Sequence, residues 1–160
     1  MSKKKYSPIN SSRYEVLNSK IHGKGFFAID AIDKGECIIE YKGERISWDV
    51  AIERHPHDIT QPNHTFYFSL SNGNVIDANF KGNSARWINH SCKPNCEAVE
   101  IEDTKSGFRV FLLAKKKIKS GEELFYDYAL DVDCRKTKAL KKEYECRCGK
   151  KECRGTMLSD

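Results

Sequence analysis

The sequence predicts a mostly β domain of small curved sheets with a few short helices. Short apolar or aromatic runs recur between turn signals such as Asp33-Lys34-Gly35-Glu36, Ser71-Asn72-Gly73-Asn74 and Ser120-Gly121-Glu122-Glu123. Helix-start chemistry with helical spacing is clear only around Ser47. Strands and helices do not alternate in the rhythm of βαβ units, so a parallel sheet with crossover helices is not expected.

Residues 1–13 are basic and polar and are expected to form a flexible N-terminus. Residues 14–17 read as a short strand, and Ser19-Lys20-Ile21-His22-Gly23-Lys24-Gly25-Phe26-Phe27-Ala28 as a glycine-punctuated turn entering another. The pair Gly23 and Gly25 lets the backbone come close to something flat or bulky. It does not extend to the dinucleotide fingerprint, and no ordinary crossover helix follows, which excludes a Rossmann unit. Residues 37–41 form an apolar strand that Gly43 breaks. Residues 47–54 suit a short helix, with Ser47 as N-cap, Asp49 in the first turn and Pro56 beyond the end. Residues 55–64 are loop-like, and His55 and His57 read as loop residues because no ligand set lies near them. An aromatic strand over 65–70 turns back through 75–78. Residues 97–102 and 107–114 pair around Asp103-Thr104-Lys105-Ser106-Gly107, and 124–128 make the last strand.

At 160 residues the chain is one domain by size and can bury a core without disulfides. Nothing approaches the roughly eighteen consecutive apolar residues of a membrane span. Seven cysteines, with no apolar signal core after Met1-Ser2-Lys3-Lys4-Lys5, point to an intracellular, reducing setting. There, clustered thiols bind metal more readily than they pair. The glycosylation sequons at Asn10, Asn63 and Asn89 are then chance matches. The net charge of +5, concentrated in lysine runs such as Lys115-Lys116-Lys117, makes a solvated surface that can aid contact with nucleic acid or another anionic partner. No recognition helix or RNA-binding aromatic pattern accompanies it.

Two stretches crowd chemistry together. The run Asn83-Ser84-Ala85-Arg86-Trp87-Ile88-Asn89-His90-Ser91-Cys92-Lys93-Pro94-Asn95-Cys96 suits neither a plain helix nor a plain strand. It is either a site, or a loop in which Pro94 and Asn95 make a turn and Cys92 packs as a small hydrophobe. Near the C-terminus, Cys146, Cys148 and Cys153 suit tetrahedral zinc, which wants a fourth soft ligand. Cys92, Cys96, Cys134 and Cys37 are the candidates, and Arg147, Lys150, Lys151 and Arg154 would offset the thiolate charge.

Taken in order, His22-Gly23-Lys24-Gly25-Phe26, Glu40-Tyr41-Lys42-Gly43, Val75-Ile76-Asp77-Ala78, Arg86-Trp87-Ile88-Asn89-His90-Ser91-Cys92, Gly121-Glu122-Glu123-Leu124-Phe125-Tyr126-Asp127-Tyr128 and the terminal cysteines closely resemble the SET-domain family of protein lysine methyltransferases with its post-SET tail. The likeness covers about residues 14–158 and implies a flexible basic N-terminus over 1–13, a SET domain over 14–128, a connector over 129–143 and a post-SET zinc segment over 144–160. It implies small curved sheets with a pseudoknot-like threading around Asn89, S-adenosylmethionine in a pocket on one side, and a substrate lysine entering from the other through a narrow channel. By position, His22, Lys24, Gly25 and Phe26 line the cofactor, with Phe66 near it; Arg86, Asn89 and His90 hold its amino-acid and adenine parts. Cys92 becomes the fourth zinc ligand beside Cys146, Cys148 and Cys153.

The implied chemistry is displacement of a methyl group from a sulfonium by a neutral amine. A free lysine with a pKa near 10.4 is neutral in roughly one case in a thousand or fewer at pH 7, a penalty of about 4 kcal/mol. An aromatic channel and the charge of the cofactor both disfavour the ammonium, so no strong base is needed. Tyr128 falls at the family's catalytic tyrosine, and Tyr126 where phenylalanine or tyrosine controls product, which leads to an expectation of mainly monomethyl lysine. Phe66 departs from the usual tyrosine, and Tyr67 replaces its hydroxyl if the register shifts by one. Asp77 and Glu123 read as structural. The implied partner is a lysine-containing protein, a histone tail first, in a nucleus or in a bacterial cytoplasm with possible delivery to a host. The alternative reading is a catalytically silent SET-like zinc module for protein interaction.

Overall fold

Tyr14–Asn18 (β1) and Lys24–Ala28 (β2) pair antiparallel around a turn in which Gly23 takes φ +45°, as the computed structural model of the chain shows. The structure describes residues 5–21, 23–54, 66–130 and 135–159; His22, His55, His57, Cys134 and the sequon at Asn63 lie outside the described residues. Cys37–Glu40 (β3) is buried along its whole length, as its apolar run requires. Glu44–Ile46 (β4) leads into the helix Trp48–Arg54 (α1), where Ser47 Oγ accepts from Val50 N at 3.2 Å as the predicted cap. Tyr67–Ser69 (β5) and Val75–Asp77 (β6) form the predicted hairpin. The central stretch divides into a 3₁₀ turn, Ser84–Trp87, and a two-residue strand, Asn89–His90 (β7). Cys96–Asp103 (β8) and Gly107–Ala114 (β9) make the longest pair, and Glu123–Tyr126 (β10) and Lys138–Glu143 (α2) complete the elements.

Three small sheets result, with strand orders β1-β2-β10-β7, β3-β9-β8 and β4-β6-β5. Each contributes to one core: Phe26 and Leu124 from the first, Ile38 and Leu112 from the second and Ile76 from the third are all within 1 % of full burial. In the first sheet the last strand lies between an early and a middle one. Phe125 and Tyr126 run parallel to Asn89 and His90, which brings the central stretch alongside the end of the domain. Asn95 fastens this crossing, accepting from Phe125 N and donating to Glu123 O, both at 2.9 Å. Asn95 therefore replaces a missing strand neighbour as well as making a turn after Pro94.

One element, β4, differs from the sequence expectation. β4 is an edge strand two of whose three residues are charged, so its pattern hid it; its pairing with β6 supplies what its composition lacks. The connector carries α2, capped by Thr137 Oγ1 accepting from Leu140 N at 3.1 Å. Beyond it the tail returns, with Leu130 bridging Leu158. Among the described residues no helix is long and apolar enough to cross a membrane.

Candidate active site and metal centre

The sulfur atoms of Cys92, Cys146, Cys148 and Cys153 lie within 4.8 Å of one another, and Cys92 and Cys153 are 3.8 Å apart. Zinc bonds of about 2.3 Å in a tetrahedron put sulfurs about 3.8 Å apart, so the four thiols fit this metal. Of the other candidate ligands among the described residues, Cys37 packs with Phe111 and Leu113, and Cys96 is fully buried in the main core. The tail thus closes onto the central stretch, and Tyr128 and Leu130 pack against the cluster.

His90 is buried, and its ring joins the two halves of the site. Nδ1 accepts from Tyr128 N at 3.0 Å, while Nε2 is 3.4 Å from Cys92 Sγ. Burial pushes the imidazole down to about 4, outweighing the upward pull of Asp127. The neutral ring carries its proton on Nε2, because Nδ1 is an acceptor, and so donates toward the sulfur. The 3.6 Å approach of Asp127 to this ring is accordingly not an ion pair; Asp127 is held instead by Arg154 at 2.6 and 3.0 Å. With the imidazole so committed, only the main chain of His90 is left for a cofactor.

Trp87 gathers the residues expected at the cofactor. The Arg86 guanidinium lies 4.8 Å and Lys24 Nζ 5.1 Å from its ring centre, and Phe66 meets it edge-on at 5.1 Å. Buried Arg86 Nε has no hydrogen-bond partner among the described residues, while Nη1 donates to Ala78 O at 3.4 Å. A half-buried guanidinium whose Nε is without a partner suits a carboxylate ligand. Phe26 is fully buried in the core, stacked on Tyr14 at 4.4 Å, so its ring supports the site from beneath. What Gly25 admits is also specific: a Cβ there would lie 2.6 Å from Glu123 Oε2. The close approach anticipated at this glycine is thus to a carboxylate of the chain itself.

Four aromatic rings follow one another. Tyr41 and Phe68 are 5.4 Å apart, Phe68 and Tyr126 6.3 Å, and Tyr126 and Tyr128 4.7 Å. Tyr128 Oη donates to Ile88 O at 2.5 Å. Burial raises all three phenols; Asp77 adds to it at Tyr41, the neighbouring phenols at Tyr126, and Tyr41 with Glu123 at Tyr128. They stay protonated and serve as hydrogen-bonding groups and not as bases. Tyr41 is given no role by the sequence; its signals were its place at the end of a strand and within the motif Glu40-Tyr41-Lys42-Gly43. Tyr67 does not replace the hydroxyl missing at Phe66. The register is unshifted, with Tyr67 opposite Asp77 and Phe68 opposite Ile76, and Tyr67 Oη donates to Ala51 O at 3.0 Å on the α1 side. Asp77 is fully buried, accepting from Asn79 N and Nδ2 at 2.9 Å and facing Arg54 at 3.4 Å. It shapes a turn.

A cavity of about 430 Å³ opens beside β10, bordered by Lys93, Lys116, Lys117 and Lys150, and none of the expected cofactor residues lines it.

Comparison with known proteins gives the family. The chain is 40% identical over 142 residues to histone-lysine N-methyltransferase trr of Drosophila melanogaster, covering 89% of this chain and 6% of that protein. It is 39% identical over 141 residues to "Histone-lysine N-methyltransferase, H3 lysine-4 specific" of Mycosarcoma maydis, covering 88% of this chain and 9% of the relative. The chain therefore spans less than a tenth of the length of these relatives. A solved structure described as "ctPRC2 in an autoinhibited conformation bound to S-adenosylmethionine" superimposes with a TM-score of 0.66 at 34% identity, over 72% of this chain and 15% of that one. The SET domain profile matches residues 23–129, from the Gly23 turn through Tyr128, and the chain belongs to the SET domain family.

Proposed function

We propose that this chain is an S-adenosylmethionine-dependent protein lysine N-methyltransferase that acts on a histone tail, with zinc held by Cys92, Cys146, Cys148 and Cys153. The observation that carries the reading is the row Tyr41, Phe68, Tyr126 and Tyr128, whose last two members lie beside the Asn89–His90 strand and whose first lies near Arg86. The names of the relatives make histone H3 the first substrate to test and a nucleus the setting.

When bound, S-adenosylmethionine supplies a methyl group on a positively charged sulfur. The chain's own residues would do the rest. Arg86 would take the cofactor's carboxylate, Asn89 its ammonium, the main chain of His90 its adenine, and His22, Lys24, Gly25 and Phe66 would border it. The same burial that raises the three phenols lowers a lysine ammonium in the row, which favours the neutral amine that can attack. Because Tyr128 Oη spends its proton on Ile88 O, its oxygen is an acceptor toward the amine and can aim the nitrogen lone pair. Alignment of this kind supplies much of the rate in displacement reactions. Tyr126 would fill the space a methylated amine needs to turn, which supports monomethyl as the main product. The zinc cluster would fix Cys92, and through it the ring of His90 and the main chain of Tyr128.

Incubating the full chain with methyl-labelled S-adenosylmethionine and a panel of core histones and basic proteins tests this. Label on lysine, lost at least a hundredfold in Tyr128→Phe, is expected from a misaligned amine. Cofactor binding with no transfer to any substrate would identify a silent interaction module instead.

A further inference from the structure

The carboxylate of Glu123 joins three segments, the turn after β1, β2 and the strand at Asn89, the last of them far from the other two in the sequence. Both of its oxygens accept from Ser19 Oγ, at 2.8 and 3.0 Å, and Oε2 also accepts from Asn89 Nδ2 at 3.1 Å. Asn89 Nδ2 donates as well to Lys24 O at 3.0 Å. The third segment is β2, where the absence of a side chain at Gly25 makes room for the carboxylate. Ser19 Oγ in turn accepts from Ile21 N at 3.0 Å, so the hydroxyl is itself fixed by the turn that precedes Gly23.

A primary amide has one donating end and one accepting end. The amide nitrogen of Asn89 is directed at two groups that only accept, a carboxylate and a main-chain carbonyl. A flipped amide would set oxygen against oxygen at both, so Oδ1 is held on the opposite edge. We propose that Glu123 is a positioning residue for S-adenosylmethionine: it locks the Asn89 amide in the orientation that presents Oδ1, an acceptor, to the cofactor's α-ammonium. This rests on the reading that Asn89 contacts the amino-acid part of the cofactor. With the lock removed, the amide samples the flipped state and turns its own N–H bonds toward a cation. Gly25, Ser19, Glu123 and Asn89 then form one device in which the glycine admits the carboxylate, the serine aims it and the carboxylate sets the amide.

The test compares two ligands. S-Adenosylmethionine carries the amino-acid part, and 5′-methylthioadenosine has the same nucleoside without it. Glu123→Gln keeps the shape of the side chain but replaces one acceptor oxygen with a donor facing Ser19 or Asn89. Calorimetric titration of the zinc-loaded full chain should show S-adenosylmethionine binding about tenfold more weakly, the scale of one charged hydrogen bond, with 5′-methylthioadenosine affected less than twofold. Equal losses for both ligands, or no loss for either, would overturn the proposal, because a merely structural role does not distinguish them. Asn89→Ala on the same pair separates the two layers. If it discriminates and Glu123→Gln does not, the positioning role fails; if it spares both ligands, the underlying assignment of Asn89 fails. Should Glu123→Gln not fold, Ser19→Ala releases the same carboxylate and carries the same comparison.

Discussion

Gly25→Ala tests the packing on which the cofactor side of the site is built. A Cβ at this position would lie 2.6 Å from Glu123 Oε2, where ordinary contact begins at 3.4 Å, so the carboxylate must retreat by the difference, about 0.8 Å. Its bonds to Ser19, at 2.8 and 3.0 Å, and to Asn89, at 3.1 Å, cannot all survive such a shift. At a net worth of about 0.5–1.5 kcal/mol each, their weakening should cost about 2 kcal/mol. In a domain of this size that lowers Tm by about 4–8 °C. The informative assay is a double-mutant cycle with Glu123→Ala, read by chemical denaturation. Once the carboxylate is gone, the nearest remaining neighbour of the new methyl group is Ser19 Cβ, at 3.0 Å, and the cost of Gly25→Ala should fall below about 0.5 kcal/mol, offset by the usual gain of alanine over glycine in a strand. The predicted coupling is therefore about 2 kcal/mol. Strict additivity would refute the reasoning and would mean that the glycine is needed for something other than Glu123.

Further outcomes follow from the same geometry. Cys92→Ser should abolish stoichiometric zinc, measured by metal analysis after gel filtration, whereas Cys37→Ser and Cys96→Ser should retain it because their sulfurs lie in other cores. Tyr126→Phe should shift the product from mono- toward di- and trimethyl lysine in mass spectra, with cofactor affinity unchanged. The rate of transfer should climb with pH from 7 as the substrate amine loses its proton. Burial holds Tyr41, Tyr126 and Tyr128 protonated to above their ordinary range, so no descending limb should occur below about pH 10. A bell-shaped profile that turns down near pH 8 would contradict the role given to these phenols.

The strands and the short helix were legible in the sequence because each carries its own signal: alternating or continuous apolar runs, paired turn residues, and a serine cap before α1. β4 was not, since Glu44 and Arg45 owe their extended form to β6 and not to their own preferences. The metal cluster was half legible. Three cysteines announce themselves by spacing, but local chemistry left four choices for the last ligand, and only the crossing of β7 beside β10 brings Cys92 to the tail. Tyr41 went unassigned because its role depends on Phe68 and Tyr126, contacts between different sheets that no local pattern encodes. Tyr67 was offered as a substitute for a missing hydroxyl on the strength of adjacency, and alternation along β5 sends it to the opposite face. Gly25 was correctly read as a point of close approach, but what approaches, Glu123, lies a whole domain away in the chain.

In the proposed reaction a substrate lysine would pass along the row of Tyr41, Phe68 and Tyr126 and end at the phenol of Tyr128. A crystal structure of the zinc-loaded chain with S-adenosylhomocysteine and a histone H3 peptide measures this directly, through the distance from the substrate Nζ to Tyr128 Oη. The expected distance is about 3 Å, within hydrogen-bond reach. A peptide whose lysine lies outside the aromatic row, or a cofactor bound away from Asn89 and Arg86, would contradict the proposal.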